Sequence, residues 1–227
     1  IIELLRNSLS VSRAGPIEVS IGPGGLSMGR VTASSTAAYK NEDAGINASQ
    51  PSTGELTLIP RDLYGVVAAS DTFFGSQGGE AFIRDEIIRT MVVRGDLAML
   101  RGTGANDTPR GLRNWATDGS VPDAVVGSAS ADATPTSAEI ATDMQRMGST
   151  LAQRNISAGG RPTVFLNPRT WYHVASFVGA DDNFPFKAEL MAGMFGMMPA
   201  IQSTQVPTNL GGGTASELIA ADMAHVL

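Results

Sequence analysis

The longest run of helical periodicity lies in residues 76–102, where Ile83, Ile87 and Met91 recur on one line and Ile88 and Val92 on the line beside it. Glu80 with Arg84 and Asp85 with Arg89 are favourable i,i+4 pairs on the remaining surface, and Arg94 is a further basic position there. Ser76 is the candidate N-cap, Glu80 puts negative charge in the first turn, Arg101 puts positive charge in the last, and Gly102 is the expected left-handed stop. The pattern predicts one helix of roughly 40 Å, longer than a small domain is wide, with one flank packed and the other wet.

Ahead of it, residues 1–9 form a short apolar segment that ends at Gly15-Pro16 and is too short to hold itself as a helix. Residues 17–36 alternate about Gly22-Pro23-Gly24-Gly25, with Val19 and Ile21 before the turn and Leu26, Met28 and Val31 after it, which predicts a hairpin. Residues 33–54 are Ser, Thr, Ala, Asn and Gly with few large side chains, so this arm cannot build its own core. Residues 55–60 and 63–70 return to strand-like patterning and lead into the helix.

Behind the helix comes a glycine turn at 102–111, then a short segment at 112–115 and a polar linker to Thr134. Thr136 and Glu139 form a capping box ahead of a helix with Ile140, Met144, Met147 and Leu151 on one face. A buried strand is predicted at 163–166, and Asn167 caps a helix with Pro168 at its first position running to 178. A further helix at 186–195 and strands at 201–206 and 218–227 complete an α+β half with a small sheet. No internal repeat or heptad is present.

Charge and cysteine content narrow the chemistry. With 227 residues the chain suffices for one large or two small domains, and a formal charge of −6 leaves any contact with nucleic acid to a local basic face. The absence of cysteine excludes disulfides, thiolate metal sites and a cysteine nucleophile. No apolar run approaches the ~18 residues of a membrane span, and the N-terminus lacks a signal-peptide pattern, so a soluble chain is expected. The 102–111 turn has no Gly-Lys-Ser/Thr and follows a helix rather than a strand, against a nucleotide site. His173 and His225 are too isolated for a metal centre, no Gly-x-Ser-x-Gly occurs, and the pairs Asp181/Asp182 and Glu42/Asp43 read as solvated surface charge. Neither a catalytic residue nor a cofactor or metal is expected.

Several motifs occur in a family order. Residues 36–42 give an aromatic-then-glutamate stretch, Thr36-Ala-Ala-Tyr39-Lys40-Asn-Glu42; residues 54–60 return through Val66-Val67-Ala68-Ala69-Ser70 to the long helix. Leu100-Arg-Gly-Thr-Gly104 is followed by Pro109-Arg-Gly-Leu112, then Phe165-Leu-Asn-Pro-Arg-Thr-Trp171, then Met198-Pro-Ala-Ile201 with Val206-Pro207. Together they resemble the major capsid protein of tailed bacteriophages, with the Hong Kong 97-type fold. The resemblance implies an N-terminal arm at 1–15, an extended loop with its adjoining strand at 16–75, a spine helix of the peripheral domain at 76–111 and an axial domain at 112–227, with the C-terminal part of the peripheral domain missing. It implies self-assembly into an icosahedral shell of pentamers and hexamers around double-stranded phage DNA, in a virion assembled in the bacterial host cytoplasm. Scaffolding, a maturation protease and a portal are the further implied partners; no membrane is. Leu26, Met28, Val31, Tyr39, Lys40 and Glu42 become candidate interface residues of the arm, and Arg84, Arg89 and Arg94 candidate residues of the spine. No region resembling a scaffolding segment precedes the arm, and no covalent cross-link carries over, since Lys40 does not clearly occupy the lysine position. An encapsulin nanocompartment shell is the nearest alternative, and a small soluble enzyme or ligand-binding domain the alternative of another class.

Overall fold

The computed structural model describes residues 9–33, 35–39, 45, 48–117, 128, 130, 135–153, 160–179, 182–211, 213 and 215–226. Its helices are α1 (Ser10–Arg13), α2 (Asp71–Phe74), α3 (Gly79–Arg101), α4 (Leu112–Thr117), α5 (Ser137–Gln153), α6 (Pro168–Ala175) and α7 (Lys187–Met191); its strands are β1 (Leu26–Ala33), β2 (Ser52–Leu58), β3 (Pro162–Leu166), β4 (Met194–Phe195), β5 (Met198–Gln202) and β6 (Ile219–Asp222). The chain divides into two compact units: Val19–Asp62, and Ile1–Glu18 with Leu63–Leu227.

The larger unit is organised by β3. Its side chains alternate between two cores, as a strand buried on both faces must. Val164 and Leu166 meet Ile140 and Met144 of α5, Val174 of α6, and Phe186, Leu190, Phe195 and Met198. Phe165 points the other way, into Val11, Leu100, Val206, Ile219 and Met223. The sheet order is β4-β5-β3-β6, with β3 parallel to β5 and antiparallel to β6. Thr136 and Glu139 form the expected capping box: Thr136 N donates to Glu139 Oε2 at 2.7 Å and Glu139 N to Thr136 Oγ1 at 3.3 Å. Asn167 also caps as expected, its side chain accepting from Arg169 N with Pro168 in the first turn. The helix it starts ends at Ala175 rather than 178, and that expected at 186–195 gives way after Met191 to β4, paired to β5 about the left-handed Gly196 and Met197. The last strands are correspondingly shorter and shifted, 198–202 and 219–222.

The long helix α3 is present over 23 residues, but its ends differ from the expectation. Ser76 does not cap it; Ser76 Oγ donates to Phe73 O at 2.5 Å, and the cap position is Gly78 at φ 90°. The extra turn is taken by α2, which ends before α3 begins. At the other end Gly102 is not left-handed, with φ −54° and ψ 136°. Burial along α3 is uneven: beyond Gly79 and Ile83, the buried positions are Asp96, Ala98 and Leu100, in its last turns. The expected strand at 63–70 is not a strand; Gly65 passes Ile87 and Met91 closely, which leaves Tyr64 and Val66 outward and exposed.

In the smaller unit the expected local hairpin is replaced by a long-range one. Residues 22–25 make only a turn, Gly25 N donating to Gly22 O at 3.0 Å, and β1 pairs antiparallel with β2 from Leu26↔Leu58 to Ala33↔Ser52. Ile17 is instead tied to Val226, its N donating to Val226 O at 2.9 Å, and Leu58 and Leu56 take the places opposite Leu26 and Met28.

Candidate assembly surface

Register decides which arm residues share a face, because directly opposed residues in an antiparallel pair project to the same side and successive ones alternate. Leu26 opposes Leu58, Met28 opposes Leu56 and Arg30 opposes Gly54; these form one face, apolar except at the Arg30 end. Ser27 with Thr57, Gly29 with Glu55 and Val31 with Thr53 form the other, and there Ser27 Oγ donates to Glu55 Oε1. The ribbon is therefore amphipathic. No residue of β1 or β2 is buried: Leu26, Leu56 and Leu58 are half-buried, while Met28 is 37% and Val31 64% exposed. Beyond the strands, Ser49 ties the arm to Thr36, accepting from Thr36 N at 2.9 Å and donating to Thr36 O at 3.0 Å.

Of the residues singled out in the sequence, Leu26 and Met28 come together, and Val31 lies on the opposite face. Tyr39 is fully exposed; Lys40 and Glu42 lie outside the described residues. Leu56 and Leu58, which complete the apolar face, were not singled out, because only the pairing with β1 gives them a common side with Leu26 and Met28. On α3, Arg84 pairs with Glu80 at 2.7 Å as expected. Arg89 lies 3.9 Å from Glu86 at i,i+3, in place of the expected pair with Asp85, and Arg94 is exposed.

The glycine turn after α3 is a hydrogen-bonded knuckle. Asn114 Nδ2 donates to Arg101 O at 3.0 Å and to Gly102 O at 2.7 Å, closing carbonyls that the end of α3 leaves open. Gly111 N donates back to Gly102 O at 2.8 Å. A Cβ on Gly102 would overlap the Pro109 carbonyl oxygen, and one on Gly111 would overlap the backbone of 100–102, so close backbone approach demands glycine at these two positions, while Gly104 is favoured by its φ of 75°. Arg110 stacks over Trp115 at 4.5 Å. Glu217 binds both flanks: Arg113 Nε donates to Glu217 Oε2 at 2.9 Å, and Arg101 Nε lies 2.9 Å from Oε1, close in charge but not aligned as a hydrogen bond.

Two carboxylates are held below their ordinary range. For Glu139 the backbone hydrogen bond from Thr136 is the main cause, followed by the Thr136 hydroxyl. For Asp222 burial is the largest influence and pushes upward, but hydrogen bonds from His225 and from the amides of Ala224 and Arg161 outweigh it. Both serve structure, one a helix start and the other the turn after β6. Among the described residues no three His, Asp or Glu side chains cluster as a metal would need, and no described helix is long and apolar enough to cross a membrane.

The family model described as "Phage capsid family" matches residues 1–227. The chain belongs to the phage capsid family. A curated relative, the major capsid protein of Klebsiella oxytoca phage phiKO2, is 26% identical over 232 residues; the match takes in 100% of this chain and 52% of the relative, so the chain spans about half the relative's length. Among solved structures, a capsid chain of an empty GTA particle superposes with a TM-score of 0.68 at 15% identity, covering 97% of this chain and 75% of that one. The capsid of the native GTA particle gives 0.65 at 16%, covering 89% and 70%. A chain of Mycobacterium phage Bobi gives 0.64 at 15%, covering 95% and 69%. The α+β capsid fold expected from the motif order is thus the fold of this family member. Its knuckle at 102–111, where the sequence already argued against a nucleotide site, is a turn closed by backbone and Asn114 hydrogen bonds.

Proposed function

We propose that the protein is a major capsid protein, a subunit that closes with copies of itself into an icosahedral shell of a tailed-phage virion around double-stranded DNA, and that it carries out no turnover chemistry. Membership of the phage capsid family supports the shell. In this reading residues 16–75 are the extended loop, 76–111 the spine, and 112–227 the axial domain, with scaffolding, protease and portal as partners of the assembling particle. The observation that carries the mechanism is the amphipathic ribbon of the arm. A two-stranded ribbon is marginal by itself in water, and the face of Leu26, Met28, Leu56 and Leu58 has no core of its own within its unit. A neighbouring subunit that covers this face supplies the missing burial, about 1.5–3 kcal/mol for each large side chain fully covered, and closed heterologous contacts of this kind generate a shell.

Deleting residues 22–50 tests the reading. The compact unit is expected to stay folded, with the Trp171 environment unchanged in fluorescence, while electron microscopy finds no shells; normal particles from the deletion would move the assembly energy elsewhere. In the parent protein, closed particles holding nucleic acid are the expected outcome. Particles filled with a protein cargo would favour the nanocompartment, and a strictly monomeric species under every assembly condition would refute a shell.

A further inference from the structure

Asp96 is a buried carboxylate in the last third of α3, 6% exposed. Its Oδ1 accepts from Ser10 N at 2.7 Å and Ser10 Oγ at 2.6 Å, and its Oδ2 accepts from Ser203 Oγ at 2.6 Å. Hydrogen bonds to an ionised acceptor are the strong ones, and here two of them hold a helix, α1, of only 4 residues, too short to persist unaided. Leu9 reaches Gly95, the bare position beside Asp96. Val11 inserts among Leu100, Phe165 and Val206. Past α1, among the described residues, one further backbone tie runs to the compact unit, Ile17 N to Val226 O at 2.9 Å, before the arm begins at Val19. Ser12 and Arg13 are exposed and Ile17 is 42% exposed, so the apolar anchorage of this segment is Val11 with Ala14 beside it and half-buried Leu9, and the polar ties hold the rest.

We propose that residues 9–17 are a releasable strap, latched by the Asp96 carboxylate, that sets the length of free chain available to the arm. Docked, the strap fixes the root of the arm at Ile17. Released, the root of the arm is no longer tied through Ile17 to Val226 while its far end still continues into Leu63, so the arm can meet a neighbour in more than one position without unfolding the sheet. The use of that slack rests on the arm being the assembly element; the strap itself does not. Segments with few buried apolar contacts open below the free energy of global unfolding, and this is the behaviour the latch would control.

Hydrogen exchange on the unassembled subunit tests the strap independently of shell formation. In the parent protein the amides of Ser10, Ala14, Gly15 and Ile17 should exchange through one shared opening, sooner than those of Val164, Phe165 and Leu166. Asp96→Ala should accelerate the first group roughly tenfold or more, the loss of at least one charge-assisted bond, and leave β3 unchanged. Ser10→Ala, which keeps the Ser10 N–H bond, should give a smaller acceleration of the same amides. Equal acceleration of β3 would make Asp96 a brace of the whole core and overturn the strap. So would an unchanged Ser10 amide, or an Ile17 amide that fails to follow Ser10.

Discussion

Gly102 and Gly111 sit where backbone passes backbone, with the Pro109 carbonyl and the end of α3 inside the space a methyl group would need. Gly102→Ala or Gly111→Ala should therefore cost about 1–3 kcal/mol or more, as overpacking against atoms that cannot move aside. Gly148, inside α5, has nothing within 4 Å of an added Cβ, so Gly148→Ala should be neutral or stabilise by about 0.5–1 kcal/mol. Chemical denaturation of the three variants compares them directly. Asp222 gives a pH prediction of definite sign. Its carboxyl is lowered from the ordinary 3.8 by hydrogen bonds that outweigh burial, so the folded protein binds a proton less readily than the unfolded chain. Its contribution is full above the ordinary value and is lost as pH falls through the lowered folded value. Glu139 behaves the same way from its ordinary 4.5. Denaturation midpoints should fall as pH drops below about 4, and Asp222→Asn together with Glu139→Gln should flatten that fall.

At the scale of elements, the start of α5 depends on the reciprocal bonds between Thr136 and Glu139. Thr136→Ala should lower stability by about 1 kcal/mol, seen as a shifted thermal midpoint with the helical signal of α5 fraying first. That cap, the cap at Asn167 and the strand at β3 were all readable because their signals are local: a side chain bonding a backbone amide two or three residues on, or a short unbroken apolar run. The start of α3 was not, since Ser76 has the right chemistry but spends its hydroxyl on Phe73 O, inside the turn that follows α2. The arm was misread for a different reason. Residues 17–21 and 26–33 alternate well enough to suggest a tight hairpin, but β1 finds its partner at 52–58, and nothing local encodes a pairing across that distance. The same non-locality hid Leu56 and Leu58, whereas the separation of Val31 from Leu26 and Met28 follows from the two-residue alternation within β1 alone. Asp96 did leave a trace: it stands between Val92 and Leu100 on an otherwise apolar line of the helix, a polar residue where burial was due.

For the molecule as a whole, the proposed function takes the sheet-based unit as the part that folds by itself and the ribbon unit as the part completed by a neighbour. The sheet unit carries two cores, on either side of β3. The ribbon carries an apolar face and no buried residue in either strand. The claim that this face is the assembly contact is tested most directly by placing one charge on each side of the ribbon and measuring particle size by sedimentation velocity. Leu56→Glu, on the apolar face, should leave only free subunits or small oligomers, while Thr57→Glu, one residue along and on the opposite face, should sediment as shells like the parent. Shells of parental size from Leu56→Glu, or equal loss from both variants, would contradict the account.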